Sequence, residues 1–350
     1  MRISFCRLLI ISLACALGTL TVQGQGAARA TTQPPSGSAI VTQAQNLLKA
    51  GQLDSAIEML SVASRFKPND VQVKYLLGVA YYRKNDYQRA IEYLSVAVRQ
   101  TPENSRQYRE EVQILGLSHY LLGHIKEAVP YLEQLNQWSP NSTEIAYALG
   151  ISYIQTRNTD KSRETFARLF NLPTGSASAY LVNAQMMVRQ QIEELAEKEL
   201  QKALELDPRL PQANFLLGEM AIYHANIEQG IELLQKEIAI NPAFGMAYYR
   251  LGEAYTRQLK WDEAIGPLQK SIWLNPFFSG PYIVLGKVYL KKGDLPNAES
   301  MLRRALQMDP NNFSGHHLLA QILQQANRAE DAKREFEIAE KLRTSADKEP

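Results

Sequence analysis

Residues 77–102 read LGVAYYRKNDYQRAIEYLSVAVRQTP, and two later stretches repeat the same grammar: LGEAYTRQLKWDEAIGPLQKSIWLNP at 251–276 and LGKVYLKKGDLPNAESMLRRALQMDP at 285–310. Each opens on Leu-Gly, places an Ala twelve residues after the Gly and closes on Pro. One globular core has no reason to reuse such a sentence, whereas a stacked array does. The closing prolines are Pro68, Pro102, Pro140, Pro173, Pro208, Pro242, Pro276 and Pro310, at successive spacings of 34, 38, 33, 35, 34, 34 and 34. The spacings of 33 and 35 compensate, so Pro173 stands one place early in its unit. A last unit keeps the pattern through Ala320, Ala332, Phe336 and Ala339 without the proline. Nine units follow: 37–70, 71–104, 109–142, 143–176, 177–210, 211–244, 245–278, 279–312 and 313–346.

Each unit carries helical periodicity twice, broken at turns such as Lys84-Asn85-Asp86 and Lys292-Gly293-Asp294, where Gly frees the backbone and Asp can cap the next helix. Each unit is therefore a helix hairpin, ended by a proline that lacks an N–H and drives its predecessor out of the helical region. Gly78, Ala90 and Ala97 are small where helices must approach closely; Leu77, Tyr81 and Leu94 fill the space between.

The period and these positions resemble the tetratricopeptide repeat. In unit two the matching residues are Leu77, Gly78, Tyr81, Ala90, Leu94, Ala97 and Pro102; in unit eight they are Leu285, Gly286, Tyr289, Ala298, Leu302, Ala305 and Pro310. The resemblance covers residues 39–344 and implies an all-α solenoid of about nine hairpins, with the first helix of each lining a concave groove that binds a protein or peptide. Carried onto this chain, the groove positions are Tyr75, Val79, Tyr82 and Arg83, then Gln113, Leu117 and Tyr120, then Tyr147, Ile151 and Ile154. They continue with Leu181, Gln185 and Arg189, with Phe215, Glu219 and Tyr223, with Tyr249, Glu253 and Arg257, and with Ile283, Lys287 and Lys291. The recurrent tyrosines suit an interface, combining area, rigidity and a polar tip.

Two sharper signatures of the family do not match. Members that clamp a terminal carboxylate use a Lys and an Asn four residues later, where this chain has Tyr75/Val79, Tyr147/Ile151 and Tyr249/Glu253. Members with an asparagine ladder have Asn where this chain has Leu76, Ile114, Ala148, Val182, Leu216 and Arg250.

Composition narrows the remaining classes. With 350 residues, 45% hydrophobic and 21% charged, the chain can bury a large core. Arg2, Arg7 and Arg29 account for three of its 38 basic residues, so the remainder nearly balances the 36 acidic ones, which argues against a nucleic-acid partner. Arg2 and Arg7 precede an apolar run from Leu8 to Leu20, with small residues at Val22-Gln23-Gly24 and Ala28-Arg29-Ala30. Residues 1–30 thus read as an export signal, residues 31–38 (TTQPPSGS) as a flexible linker, and 345–350 as a disordered tail. The expected location is periplasmic or extracellular, with membrane contact only if the leader is kept as an anchor or lipidated at Cys15. Both cysteines, Cys6 and Cys15, belong to this leader, so the array depends on apolar packing rather than disulfides.

Catalytic and metal motifs are missing: no G-x-S-x-G, H-E-x-x-H or Walker loop occurs, and the histidines His119, His124, His224, His316 and His317 form no i, i+4 chelating pair. Neither enzyme activity, a cofactor nor a small-molecule substrate is expected. Lys287, Lys291, Lys292, Arg303 and Arg304 concentrate basic charge in unit eight, an end suited to an acidic segment. Asn141-Ser142-Thr143 and Asn312-Phe313-Ser314 match glycosylation sequons. Two irregularities remain. Four extra residues within Ser105–Glu111 predict an early start for the first helix of unit three, and the stretch Asn171–Ser178, with Pro173 and Gly175, precedes Asn183-Ala184 in place of Leu-Gly and is the expected soft point.

Overall fold

The structure, a computed structural model, describes residues 37–346. The expected export signal and residues 31–36 of the expected linker lie outside the described residues, as do residues 347–350. Helix begins at Gly37 and continues through Ala346, so the last two residues of the expected linker and the first two of the expected tail are helical. The chain divides into two compact bodies, unit one (1–174) and unit two (175–350), distinct from the nine numbered repeats, and the division falls inside Asn171–Ser178.

Unit one holds four hairpins: α1 (Gly37–Lys49) with α2 (Leu53–Phe66), α3 (Val71–Arg83) with α4 (Tyr87–Ala97), α5 (Arg106–Leu121) with α6 (Ile125–Trp138), and α7 (Thr143–Gln155) with α8 (Thr159–Leu169). Unit two holds five. They are α9 (Ala177–Arg189) with α10 (Glu193–Leu206), α11 (Ala213–Tyr223) with α12 (Ile227–Ile240), and α13 (Gly245–Arg257) with α14 (Trp261–Leu274), followed by α15 (Ser279–Lys291) with α16 (Leu295–Met308) and α17 (Phe313–Gln325) with α18 (Ala329–Ala346). Among the described residues all regular structure is helical. The extra residues before repeat three lengthen α5 to 16 residues where its counterpart α3 has 13, with Ser105 as its cap accepting from Tyr108 N–H at 3.1 Å.

The turn inside each hairpin needs one left-handed residue. It recurs at Gly51, Asn85, Gly123, Arg157, Gln191, Ala225, Leu259, Gly293 and Asn327, all with φ between 59° and 79°. Gly and Asn tolerate that conformation, whereas Ala225 and Leu259 hold it at a steric cost. Leu259 is also 67% exposed and so contributes little packing. Leu259→Gly is accordingly expected to stabilise unit two by about 1 kcal/mol, read as a shifted urea midpoint with unchanged slope.

Packing inside each hairpin follows a notch and a knob. A Cβ on Gly78 would stand 2.3 Å from Leu94 Cγ, and one on Gly150 would stand 2.6 Å from Phe166 Cζ. The missing side chain on the first helix is therefore the space that the second helix's large residue fills, and both Leu94 and Phe166 are fully buried. Repeat five lacks this pair of leading residues. At the Leu position stands Asn183, fully buried, whose Nδ2 donates to the buried Glu199 carboxylate at 2.7 Å, so a polar pair takes the place of an apolar one.

Helices also contact the next hairpin. Within each unit, every second helix packs on the first helix that follows it there, as α2 on α3 and α14 on α15. First helices further touch one another, α1 to α3 to α5 in unit one and α11 to α13 to α15 to α17 in unit two, and no second helix makes a comparable contact with the next second helix among the described residues. Closer approach on one side places the first helices on the inner wall of each unit.

Candidate functional site

The inner wall carries the residues expected to meet a partner, and the structure sorts them into three groups. Side chains of the first group are partly exposed and rigidly held. In unit one, Tyr75 Oη donates to Glu110 Oε2 at 2.8 Å, tying α3 to α5; burial, reinforced by Glu110, pushes its phenol titration well above the usual range. Tyr82 packs against Tyr87 with ring centres 5.9 Å apart, and Tyr147 meets Phe166 edge-on at 6.1 Å. Gln113, Leu117 and Tyr120 are half-buried along α5. In unit two, Tyr249 meets Phe278 edge-on at 5.2 Å, and burial, with Glu253 alongside, raises its phenol titration. Gln185 Nε2 donates to Gln212 Oε1 at 3.1 Å, while Leu181 and Ile283 are half-buried.

A second group is filler rather than surface. Val79 is 4% exposed, Ile151 3%, Ile154 0% and Phe215 8%, the last packed edge-on against Phe244 at 4.9 Å. These four residues cannot meet a partner as expected from sequence, because the neighbouring helices already cover them. Val79 and Ile151 stand at the register position that carries Glu219, Glu253 and Lys287 in later repeats, whereas Ile154 and Phe215 stand at two other positions of the first helix.

Charged residues make the third group. Arg250 Nε donates to Glu219 Oε1 at 2.7 Å and Nη1 to Glu253 Oε2 at 2.8 Å, with the guanidinium 5.4 Å from the centre of the Tyr249 ring. Arg250 was absent from the expected groove residues, yet it consumes both expected acids. Arg83 and Arg257 act across hairpins. Their Nη1 atoms donate to Leu48 O at 3.1 Å and to Ile222 O at 3.4 Å, carbonyls at the C-terminal ends of α1 and α11, where a cation also opposes the helix dipole. Tyr223 is 76% exposed, and Arg189, Lys287 and Lys291 are exposed.

One buried acid behind the wall is not explained by the repeat pattern. Glu111 is fully buried where repeats five, six and seven carry Ala179, Ala213 and Ala247. Its Oε1 accepts from Thr101 Oγ1 at 3.1 Å and Gln107 Nε2 at 2.9 Å, while Oε2 is buried without a partner. Burial raises its titration above the ordinary carboxylate value. The folded state thus binds this proton more tightly than the unfolded chain, so stability falls as pH rises from about 4.3 through the raised folded value. Glu111→Gln is expected to remove that part of the decline and raise the neutral-pH thermal midpoint; an unchanged pH profile would contradict this burial cost.

Among the described residues no group of three or more His, Cys, Asp or Glu side chains converges as a metal site would, and no described helix is long and apolar enough to cross a membrane.

Fold and wall together define an all-α helical-hairpin repeat protein with a pre-formed inner surface. Models of the tetratricopeptide repeat match residues 41–105, 120–182, 246–277 and 289–343, together more than half of the chain. The chain belongs to the tetratricopeptide repeat family. It is similar to the intraflagellar transport protein 88 homolog of Homo sapiens, 26% identical over 102 residues, a match spanning 29% of this chain and only 12% of that protein. Among solved structures it is similar to MamA 41-end from Desulfovibrio magneticus RS-1 (20% identity, TM-score 0.45, 48% of this chain and 96% of that one). A chain of the APC/C hetero-tetramer Cut9-Hcn1 also matches (17% identity, TM-score 0.43, 82% of this chain and 56% of that one).

Proposed function

We propose that the protein is an exported interaction scaffold that holds a peptide or a domain of another protein against its first helices, acting as an assembly or adaptor factor rather than an enzyme. The observation that carries this reading is the set of half-exposed tyrosines, Tyr75, Tyr147 and Tyr249, each locked by a neighbouring ring or carboxylate. Locked aromatic anchors lose little side-chain entropy on binding, so their contact area converts efficiently into affinity. A periplasmic or extracellular location is supported by the basic-then-apolar leader from Arg2 to Leu20, and membrane contact would arise only through that segment, kept or lipidated.

Capture from native extract tests the reading. The triple variant Tyr75→Ala, Tyr147→Ala, Tyr249→Ala is expected to lose its partner at least tenfold while keeping its helical circular dichroism. Unchanged capture would overturn it. A second reading, self-association or service as an accessory subunit of an enzyme complex, is favoured by a cavity of about 810 Å³ beside α1–α3, lined by Ile40, Leu47, Met59, Val62 and Phe66. It predicts a concentration-dependent oligomer, or a catalytic chain that co-purifies, with no dependence on the three tyrosines.

A further inference from the structure

The expected basic end of the array contains five cations, and the structure divides them unequally. Lys292 pairs with Asp262 at the start of α14, Arg303 binds Glu299 through Nε and Nη2 at 2.9 and 2.7 Å, and Arg304 donates to Gln307 at 3.1 Å. Those three are already partnered by side chains of the same half of the chain, so they offer little new attraction. Lys287 and Lys291 are different: both are exposed on α15, one turn apart, and neither has a hydrogen bond or ion pair among the described residues.

Nothing on the adjoining inner wall compensates them. Neither α15 nor α17 carries a single carboxylate, and α13 carries only Glu253, which is bound to Arg250. Arg257, exposed on the α13 that touches α15, uses Nη1 on Ile222 O and has no carboxylate partner among the described residues. The helix dipole explains a cation at the last residue, Lys291, but not Lys287 four residues earlier. Cations left without compensating charge on a binding surface give it electrostatic complementarity to an anionic partner.

We propose that Arg257, Lys287 and Lys291 form an acidic-peptide subsite on the inner wall of unit two; this rests on the reading of the first helices as the binding surface and names the chemistry of the partner there. The spacing fits an extended chain. Lys287 and Lys291 are about 6 Å apart along the helix axis, near the ~6.6 Å between alternate residues of a strand. Neighbouring helices are about 8–10 Å apart, near three residues of strand. A segment with acids at alternate positions, or three apart, therefore meets the cations without distortion. Tyr249, at the rim of the subsite, supplies a half-buried ring for an apolar side chain between the acids.

Fluorescence anisotropy with a labelled decapeptide of alternating Glu and Ala tests the subsite on the full chain. Binding is expected to weaken between about 20 and 300 mM salt, as exposed ion pairs do. Lys287→Glu with Lys291→Glu is expected to weaken it about tenfold or more, through like-charge repulsion. Arg303→Glu with Arg304→Glu, inverting the same charge on α16, is expected to change it less than about twofold, because that side chain pair does not face the peptide. No binding, equal loss in both double variants, or tighter lysine-dependent binding of a single-stranded oligonucleotide overturns the proposal. A native partner lost by the tyrosine variant yet retained by the lysine variant also overturns it and leaves the scaffold reading standing.

Discussion

Phe166→Ala is expected to lower the stability of unit one by about 3–5 kcal/mol, the range for deleting a large buried aromatic side chain. Among the described residues Phe166 is the bulkiest fully buried side chain; it fills the notch left by Gly150, with Tyr147 edge-on against it. Its removal empties the interior of the α7–α8 hairpin, which backbone collapse can refill only partly because α7 is held by its neighbours. Tyr147 loses the ring that orients it, so the wall softens where a partner would bind. Urea unfolding should show a midpoint lowered accordingly, and a loss under about 1 kcal/mol would mean that the notch-and-knob packing does not hold this hairpin together.

Leu94→Ala is expected to cost about 2–5 kcal/mol on the same grounds, and its partner gives a sharper test. Gly78→Ala alone would force a Cβ within 2.3 Å of Leu94 Cγ and should cost about 1–3 kcal/mol by overpacking. In the double variant the new methyl enters space that Leu94 has vacated, so the combined loss should be smaller than the sum of the two. Strict additivity would show that Gly78 and Leu94 are not in contact. Ala90→Leu, at a fully buried small position on the same helix as Leu94, should overpack by a similar ~1–3 kcal/mol without any such rescue.

Why the architecture was legible in the sequence is clear from these pairs. A glycine that must accept Leu94, an alanine that must lie flat at Ala90 and a proline that must end the helix are each dictated by local geometry, and local geometry repeats every 34 residues. The early start of α5 could be counted from the four extra residues for the same reason. The wall was less legible. Its register positions could be assigned, but Val79, Ile151, Ile154 and Phe215 proved to be buried, because depth at a given register depends on how far the neighbouring helices lean over it. Sequence carries that only indirectly, for Val79 and Ile151 in an apolar choice where later repeats use Glu or Lys, and for Ile154 and Phe215 not even there.

Charge was less legible for a related reason. Arg83 and Arg257 stand at groove positions, and each also donates to a carbonyl 35 residues earlier, a partner visible only when successive hairpins are stacked. Their equal offsets are the one signal that alignment of the repeats could have supplied. Arg250 reads in the sequence only as a mismatch to the asparagine ladder, although its two acids stand at wall positions one hairpin back and three residues on. Glu111 left no trace at all beyond being an acid where other repeats have alanine, which a buried, half-satisfied carboxylate shares with any surface Glu.

The central claim is that adhesion happens on the first helices and not on the second. Site-specific photo-crosslinking tests it most directly, with a benzophenone amino acid placed at Tyr147 or Tyr249 on the inner wall, or at Lys236 or Lys270 on the second helices α12 and α14. The account predicts adducts to a different protein from the two inner positions and little or none from the two outer ones. Adducts confined to the outer positions, or formed only between copies of this chain, would contradict it.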